Sequence, residues 1–393
     1  MTSSKAPSPA SPASGGPASA RPKVEPFHAI NISRLAHQLK AQGSSIIHME
    51  FGQPSTGAPQ PAIARAHEVL DADPMGYWES VPLKEALAAR YQSAYGVTVS
   101  PGRIIPAFGA SGALVLAFTT LFRPGDRVAM ARPGYPAYRN TLTAMHLEPV
   151  EIPCGADTRY QITAAHIEAL DPAPAGVIVA SPANPTGTML SPEELAAIAE
   201  VCTRRGIRLI SDEIYHGLCY AAEPATALAF SEDVVVVNSF SKYFSMAGWR
   251  LGWLVVPEAE AEHFSTVTGN MFLTPPSLAQ HAALAALEAD DELQRHVDVY
   301  RANRALLLER LPRMGIERIA PPDGAFYVYA DIGHLTNDSL EFCRRLVQET
   351  GVALAPGIDF DPVEGNRFLR FSFAVSTPLV EEALQRLEGW LKG

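Results

Sequence analysis

One lysine stands where a solvated charge is out of place. Lys242 ends the apolar, serine-rich turn Ser239-Phe240-Ser241-Lys242, which follows an apolar run at residues 234–237. Burial disfavours the charged form of an amine, so a lysine in such a turn is suited to remain a neutral amine or to become an imine. Arg250 follows eight residues later. The turn therefore predicts amine or imine chemistry at Lys242.

A turn of small residues offers a place for an anion. Gly109-Ala110-Ser111-Gly112 follows a predicted strand at 103–107 and opens a helix that runs through Phe122. Small residues allow backbone N–H groups to approach an anion, and the first turn of a helix favours negative charge. An ordinary strand-to-helix turn without a ligand is the alternative.

Two further polar segments follow apolar runs. In Ser181-Pro182-Ala183-Asn184-Pro185-Thr186-Gly187, prolines on both sides of Asn184 restrict the backbone and hold its amide in one direction. Asp212 follows the apolar run at 207–211 and begins Asp212-Glu213-Ile214-Tyr215. A buried carboxylate needs a partner because an isolated buried charge is costly. A ligand-free turn at Asn184 and a salt bridge or helix cap at Asp212 are the alternatives.

The elements that must position these residues alternate between strand and helix. Polar groups past the C-terminal ends of strands lie where open α/β sheets bind their ligands. A capping box at Ser191–Glu194 and Gly206 mark the two ends of one intervening helix. The alternation predicts a mostly parallel sheet flanked by helices. The predicted strands are residues 103–107, 127–131, 176–180, 207–211, 234–237 and 251–256.

The pattern changes near residue 290. Helical stretches at 293–311, 339–349 and 379–391 flank short strands at 326–330 and 368–373, which predicts a smaller α+β domain. The expected organisation has four parts. They are a disordered Pro/Ser/Ala-rich tail (1–24), an N-terminal segment that joins the small domain (25–55), a large ligand-binding domain (56–290) and the small domain (291–393).

Composition excludes several classes of protein. The 393 residues are 47% hydrophobic and carry a net charge of −11, without a basic stripe for nucleic acid. No apolar run reaches the length of a membrane span, and no apolar segment follows Lys5 as in a secretory signal, so we expect a cytoplasmic protein. The four cysteines are far apart, which predicts free thiols and no metal site.

From about residue 27 onward, the sequence resembles the class I aminotransferases of pyridoxal-phosphate (PLP) fold type I. Ten segments carry the resemblance in order along the chain. They are Phe51-Gly52-Gln53-Pro54, Gly109–Gly112, Pro124-Gly125-Asp126, Pro133–Tyr138, Asn184–Gly187, Asp212–Tyr215, Ser239–Lys242 with Arg250, Gly324-Ala325-Phe326-Tyr327, Pro356-Gly357 and Arg370.

The resemblance implies a role for each matching residue. Lys242 would form a Schiff base with the cofactor aldehyde and later carry the proton at the reacting carbon. Asp212 would keep the pyridine nitrogen protonated. The remaining cofactor contacts are Tyr215 and Asn184 at the ring oxygen, Tyr135 on the ring face, and Ala110, Ser111, Ser239 and Arg250 at the phosphate.

The resemblance also implies substrate and subunit contacts. Arg370 would bind the substrate α-carboxylate, with Asn184 and the backbone of Gly52 beside it. Tyr77 would reach the phosphate site of a neighbouring subunit, which implies a homodimer. The sequence departs from the family between Tyr77 and Pro82, where it is two residues shorter, with Ser80 near a position that is often glycine.

Four functions are compatible with these features. Amino transfer between an L-amino acid and a 2-keto acid is the interpretation we favour. A carbon–sulfur β-lyase or a cyclopropane-forming synthase would use the same lysine and aspartate. A PLP-sensing transcription regulator would need a folded basic module before the match, and only a short low-complexity tail is found there.

A preference among amino donors follows from one position. Ser111 stands where aspartate-specific members place a lysine, so we expect neutral, apolar or aromatic donors to be preferred over aspartate. Arg34 and Arg367 are the candidates for a cation that would reverse this preference.

Overall fold

A computed structural model describes residues 22–393, and residues 1–21 of the predicted tail lie outside it. The described part contains twelve α-helices and twelve strands. The helices are α1 His28–Ala41, α2 Gln60–Ala72, α3 Val81–Tyr95, α4 Gly109–Leu121, α5 Pro136–Ala144, α6 Ala164–Glu168, α7 Pro192–Arg205, α8 Ala261–Met271, α9 Ser277–Ala286, α10 Asp290–Arg313, α11 Ser339–Thr350 and α12 Thr377–Lys392. The strands are β1 Ile47–His48, β2 Ile104–Ala107, β3 Arg127–Arg132, β4 Glu148–Pro153, β5 Gly176–Ala180, β6 Arg208–Asp212, β7 Val235–Ser239, β8 Gly252–Val255, β9 Tyr327–Asp331, β10 Val352–Ala353, β11 Ala355–Pro356 and β12 Phe368–Ser372.

The main sheet has seven strands in the order β2-β8-β7-β6-β5-β3-β4. Only β8 is reversed, because it pairs antiparallel with both β7 and β2 while the other neighbouring pairs are parallel. Successive residues of the central strands enter different cores: Leu209 packs on one face of the sheet and Ile210 on the other. Burial on both faces explains why these strands are nearly uninterrupted apolar runs.

The predicted α/β fold class is confirmed. All six strands predicted for the large sheet occur within two residues of their predicted bounds, as do those predicted at 326–330 and 368–373. The edge strand β4 was not predicted. It carries Glu148 and Glu151 and is only partly buried, so the continuous apolar run that marks the central strands is absent.

The predicted end signals of α7 are also confirmed. Ser191 Oγ accepts a hydrogen bond from the Glu194 N–H at 3.2 Å, and the Glu194 side chain accepts one from the Ser191 N–H at 2.7 Å. Gly206 follows the helix with φ +65°, a left-handed conformation that glycine adopts without steric cost. The helix therefore begins and ends where its sequence indicates.

A smaller antiparallel sheet, in the order β11-β12-β9, lies in the C-terminal part of the chain, together with α10, α11 and α12. The N-terminal segment joins this part, because β1 pairs parallel with β10 and α1 packs against α11. The division near residues 55 and 290 stays a prediction that these contacts support. Within residues 22–393, no helix is long and apolar enough to cross a membrane.

A distant carboxylate caps the first helix. The buried side chain of Asp359 accepts hydrogen bonds from the N–H groups of His28 at 2.7 Å and Ala29 at 2.8 Å. Phe27, the residue before α1, lines the cavity described below. This contact between positions 331 residues apart therefore fixes where α1 begins and how the chain enters the site.

We predict that Asp359→Ala lowers the free energy of unfolding by about 1–3 kcal/mol, because two N–H groups, one partly and one fully buried, lose their acceptor. Asp338→Ala is the matched control, since Asp338 also caps a helix, α11, but at an exposed position. Urea unfolding of both variants checks the difference. If both variants lost the same free energy of unfolding, the burial of the Asp359 cap would contribute nothing to stability.

Candidate active site

A cavity of about 310 Å³ lies at the carboxyl ends of β5, β6 and β7. It brings together ten of the residues predicted from sequence, which come from both the large sheet and the C-terminal part of the chain. They are Gly52, Ala110, Ser111, Tyr135, Asn184, Asp212, Tyr215, Lys242, Arg250 and Arg370.

Two predicted residues do not line this cavity. Ser239 is buried, and its hydroxyl is hydrogen-bonded with Ser241 Oγ at 2.6 Å and donates to the Leu251 carbonyl at 3.0 Å. Ser241 lines the cavity instead and was not singled out from the sequence. Tyr77 is 83% exposed and lies outside the cavity of its own chain.

Lys242 enters the cavity from the turn after β7. Its Nζ donates a hydrogen bond to the Gly52 carbonyl at 2.5 Å. Burial, and secondarily the nearby Arg370 guanidinium, lower the pKa of Lys242 to about 8, although the carboxylate of Asp212 acts in the opposite direction. A substantial fraction of this amine is therefore neutral and nucleophilic at mildly alkaline pH.

Asp212 ends β6 and points into the same cavity. Two groups donate hydrogen bonds to its carboxylate: the Tyr138 hydroxyl and, at 3.1 Å, the Ile214 N–H. Burial raises the pKa of Asp212, whereas both hydrogen bonds oppose that rise. These two hydrogen bonds fix the orientation of the carboxylate, and its charge remains available to a partner inside the cavity.

Tyr138 was within a quoted motif but received no role from the sequence. It follows Tyr135 by three residues at the start of α5, so the two rings share one helical face and meet edge-on at 5.4 Å between centroids. The three-residue spacing from Tyr135 was the feature of the sequence that could have pointed to Tyr138. The contact with Asp212 could not be foreseen, because it joins positions 74 residues apart.

Arg370, on β12, is only 2% exposed. Its guanidinium donates to Asn184 Oδ1 at 2.8 Å and to the Glu50 carbonyl at 2.6 Å, and it lies 4.5 Å from the centroid of the Tyr327 ring. Among residues 22–393, its Nε has no hydrogen-bond partner. Within the described residues this buried cation forms no salt bridge, so it attracts an anionic group into the cavity.

The opposite end of the cavity is also built for an anion. Gly109 begins α4 with φ +71°, and a Cβ there would lie 2.6 Å from Arg250 Nη2. Arg250, itself at φ +57°, donates to the Phe108 carbonyl at 3.3 Å. The guanidinium therefore lies against the first turn of α4, beside Ala110 and Ser111, where backbone N–H groups already favour negative charge.

A second missed residue is Tyr327, at the end of the segment Gly324–Tyr327. Its hydroxyl lies 2.7 Å from the Tyr215 hydroxyl, and a Cβ on Gly52 would come within 2.0 Å of it. Gly52 is therefore required for steric reasons, since any side chain there would displace Tyr327. No local sequence pattern indicates a contact between residues that are 112 positions apart.

Neither arginine that could have supplied a further cation reaches the cavity. Arg34 is exposed and donates to Asn31 on its own helix. Arg367 pairs with Asp331 at 2.9 Å. In the described part of this chain, the cationic side chains that line the cavity are those of Lys242, Arg250 and Arg370.

Comparison with known proteins identifies the class. Residues 47–387 match the class I and II aminotransferase family, and the chain belongs to this family. It is 49% identical over 378 residues to the valine–pyruvate aminotransferase of Mycobacterium tuberculosis, covering 94% of this chain and 97% of that protein.

Solved structures give the same result. An aminotransferase from M. tuberculosis superposes with a TM-score of 0.93 at 48% identity, covering 96% of this chain and all of that one. The aspartate aminotransferase of Thermus thermophilus with maleate superposes with a TM-score of 0.87 at 29% identity, covering 93% and 97% of the two chains. The protein is an aminotransferase, and the predicted family is confirmed.

The lowered pKa of Lys242 generates a prediction for the protein without added ligand. Competitive acetylation of its lysines, resolved by peptide mapping, should show Lys242 gaining reactivity with a midpoint near pH 8, because the neutral amine is the reactive form. The exposed Lys40 at the end of α1 serves as internal standard. A midpoint for Lys242 above pH 10 would contradict the proposed effect of burial.

Proposed function

We propose that this aminotransferase uses pyridoxal phosphate bound through Lys242, and that it prefers neutral, apolar or aromatic amino donors to aspartate. The observation that carries the proposal is the convergence of a buried amine, a buried carboxylate and two guanidinium groups on one cavity of about 310 Å³. Such a set suits a cofactor with an aldehyde, a ring nitrogen and a phosphate, and a substrate with a carboxylate.

The residues present fit the cofactor group by group. The amine of Lys242 suits the aldehyde, and the carboxylate of Asp212 suits a protonated ring nitrogen. Arg250 and the first turn of α4 suit the phosphate, since both favour a dianion. When bound, the cofactor supplies an electron sink for the negative charge that develops at the substrate Cα.

Other side chains hold the ring in place. Tyr135 would cover one face of the ring, and Tyr215 and Asn184 would donate to its ring oxygen. Ala110, Ser111 and, through the underlying turn, Ser239 would complete the phosphate site.

Lys242 also has the properties of a general base. Its Nζ would take the proton from the substrate Cα, and a pKa lowered to about 8 leaves a larger fraction of the amine unprotonated near neutral pH than an ordinary lysine would have. Asp212, oriented by Tyr138 and Ile214, would keep its charge near the ring nitrogen during that transfer.

Arg370 would bind the substrate α-carboxylate. Asn184 and the Glu50 carbonyl hold its guanidinium, and Nε has no partner among the described residues. The Gly52 backbone lies beside it, with no side chain to obstruct the approach of the carboxylate. The substrate would therefore be oriented by a planar, pre-positioned cation.

The donor preference rests on the rest of the cavity wall. Phe27, Phe51, Leu114, Ile214 and Ala247 make it largely apolar. The three cationic side chains of the described chain that line the cavity are all assigned to the cofactor or the α-carboxylate. A distal carboxylate desolvated in this wall would lack a partner. The name of the valine–pyruvate relative supports the same preference.

We predict that kcat/KM with pyruvate as acceptor is roughly 1,000-fold higher for valine, leucine or phenylalanine than for aspartate. Asparagine is the matched control for aspartate, because it has the same shape without the charge, and it should be the better donor of the two. Keto acid formation is followed together with free ammonia. Aspartate as the best donor would refute the preference, and ammonia release without amino transfer would indicate a lyase.

We also propose a homodimer in which Tyr77 reaches the partner's site. The segment that carries Tyr77 packs against the start of α9, where Gln280 donates to the carbonyls of Trp78 at 2.8 Å and Pro275 at 2.9 Å. The side chain of Tyr77, next to Trp78, is 83% exposed, and that of Leu273, two residues before Pro275, is 51% exposed. Exposed side chains of this size on a fixed segment favour an interface.

Sedimentation should accordingly give about twice the 42.2 kDa chain mass at assay concentration. Tyr77→Ala should weaken PLP binding without changing the unfolding midpoint of the ligand-free protein, because Tyr77 packs little in its own chain. An active monomer would refute the shared site.

A further inference from the structure

The side chain of Tyr327 contacts three parts of the candidate active site. It is fully buried on β9, and its hydroxyl lies 2.7 Å from that of Tyr215. Its ring lies 4.5 Å from the Arg370 guanidinium, and its hydroxyl occupies the space that a side chain on Gly52 would need. One residue therefore connects the groups assigned to the ring oxygen and to the substrate carboxylate.

The two phenols share a single hydrogen bond, and its direction matters. In residues 22–393, each hydroxyl has the other as its hydrogen-bond partner. A phenol has one proton to donate. If Tyr215 donates its proton to the cofactor ring oxygen, the proton between the two phenols must come from Tyr327.

We propose that Tyr327 is a positioning residue that donates to Tyr215, so that Tyr215 donates to the cofactor, while its ring holds the Arg370 guanidinium for the substrate carboxylate. This inference rests on the proposed function. It assigns two separable tasks to one side chain, the first to its hydroxyl and the second to its ring.

The hydroxyl has an effect that a packing role alone does not produce. A hydrogen bond received by Tyr215 makes its own proton a stronger donor. Stronger donation would withdraw charge from the ring oxygen of a bound cofactor and would lower the basicity of the Lys242 nitrogen. Without the Tyr327 hydroxyl, that nitrogen should hold its proton to higher pH.

Two substitutions separate the tasks. Tyr327→Phe keeps the ring, so kcat should fall roughly 3- to 10-fold with little change in KM, and the pH midpoint of the chromophore absorbance should rise by about 0.5–1 unit. Tyr327→Leu removes the ring as well, so KM for the donor should also rise several-fold as Arg370 loses its aromatic contact.

Matched variants provide the controls. Tyr329 is another buried tyrosine on β9, but it lies outside the cavity and its hydroxyl has no partner in the described chain. Tyr329→Phe should therefore change neither kcat nor the pH midpoint of the chromophore absorbance. Gly52→Ala displaces the Tyr327 hydroxyl by a second route and should move the chromophore midpoint in the same direction. In a protein that already carries Tyr215→Phe, adding Tyr327→Phe should not shift the pH midpoint of the chromophore absorbance any further.

The outcomes distinguish this inference from the function on which it rests. A wild-type protein that forms no chromophore with PLP would overturn the proposed function, and the inference with it. A wild-type protein that binds PLP, with an unchanged midpoint in both Tyr327→Phe and Gly52→Ala, would overturn the positioning role alone. A raised midpoint in either variant that is absent in Tyr329→Phe would support it.

Discussion

The buried guanidinium of Arg370 is the constraint around which the site is organised. It draws contacts from Asn184 after β5, from the Glu50 carbonyl in the N-terminal segment and from the aromatic rings of Tyr327 and Phe360. A cation that is 2% exposed is costly unless these contacts and an anionic ligand compensate for its lost hydration. The large sheet, the small sheet and the N-terminal segment therefore meet where the substrate carboxylate is proposed to bind.

The charges in the cavity act on one another. Arg370 contributes to the lowered pKa of Lys242, and Asp212 partly offsets this effect. Among the described residues that line the cavity, one carboxylate stands against three cationic side chains, so the cavity favours ligands that carry negative charge at both ends. A phosphate at one end and a carboxylate at the other would satisfy this balance, which explains why the same cavity suits a cofactor and a substrate together.

Hydrogen bonds and close packing set the remaining geometry. Asp212 receives two hydrogen bonds from behind, and Tyr215 receives its orientation from Tyr327. Gly52 and Gly109 lack side chains where Tyr327 and Arg250 approach the backbone closely. These residues take no direct part in the proposed reaction, but they determine the orientation of the groups that do.

The sequence by itself determined the central strands and the groups that follow them. Strands buried on both faces must be continuously apolar, so β5, β6 and β7 could be predicted, and with them Asn184, Asp212 and Lys242 at their ends. Only the tertiary structure decided the roles of Tyr138, Tyr327 and Asp359. Their partners lie 74, 112 and 331 residues away in sequence. Local periodicity contains no information on such contacts, because they form only when the sheet order and the packing of the C-terminal part bring distant segments together.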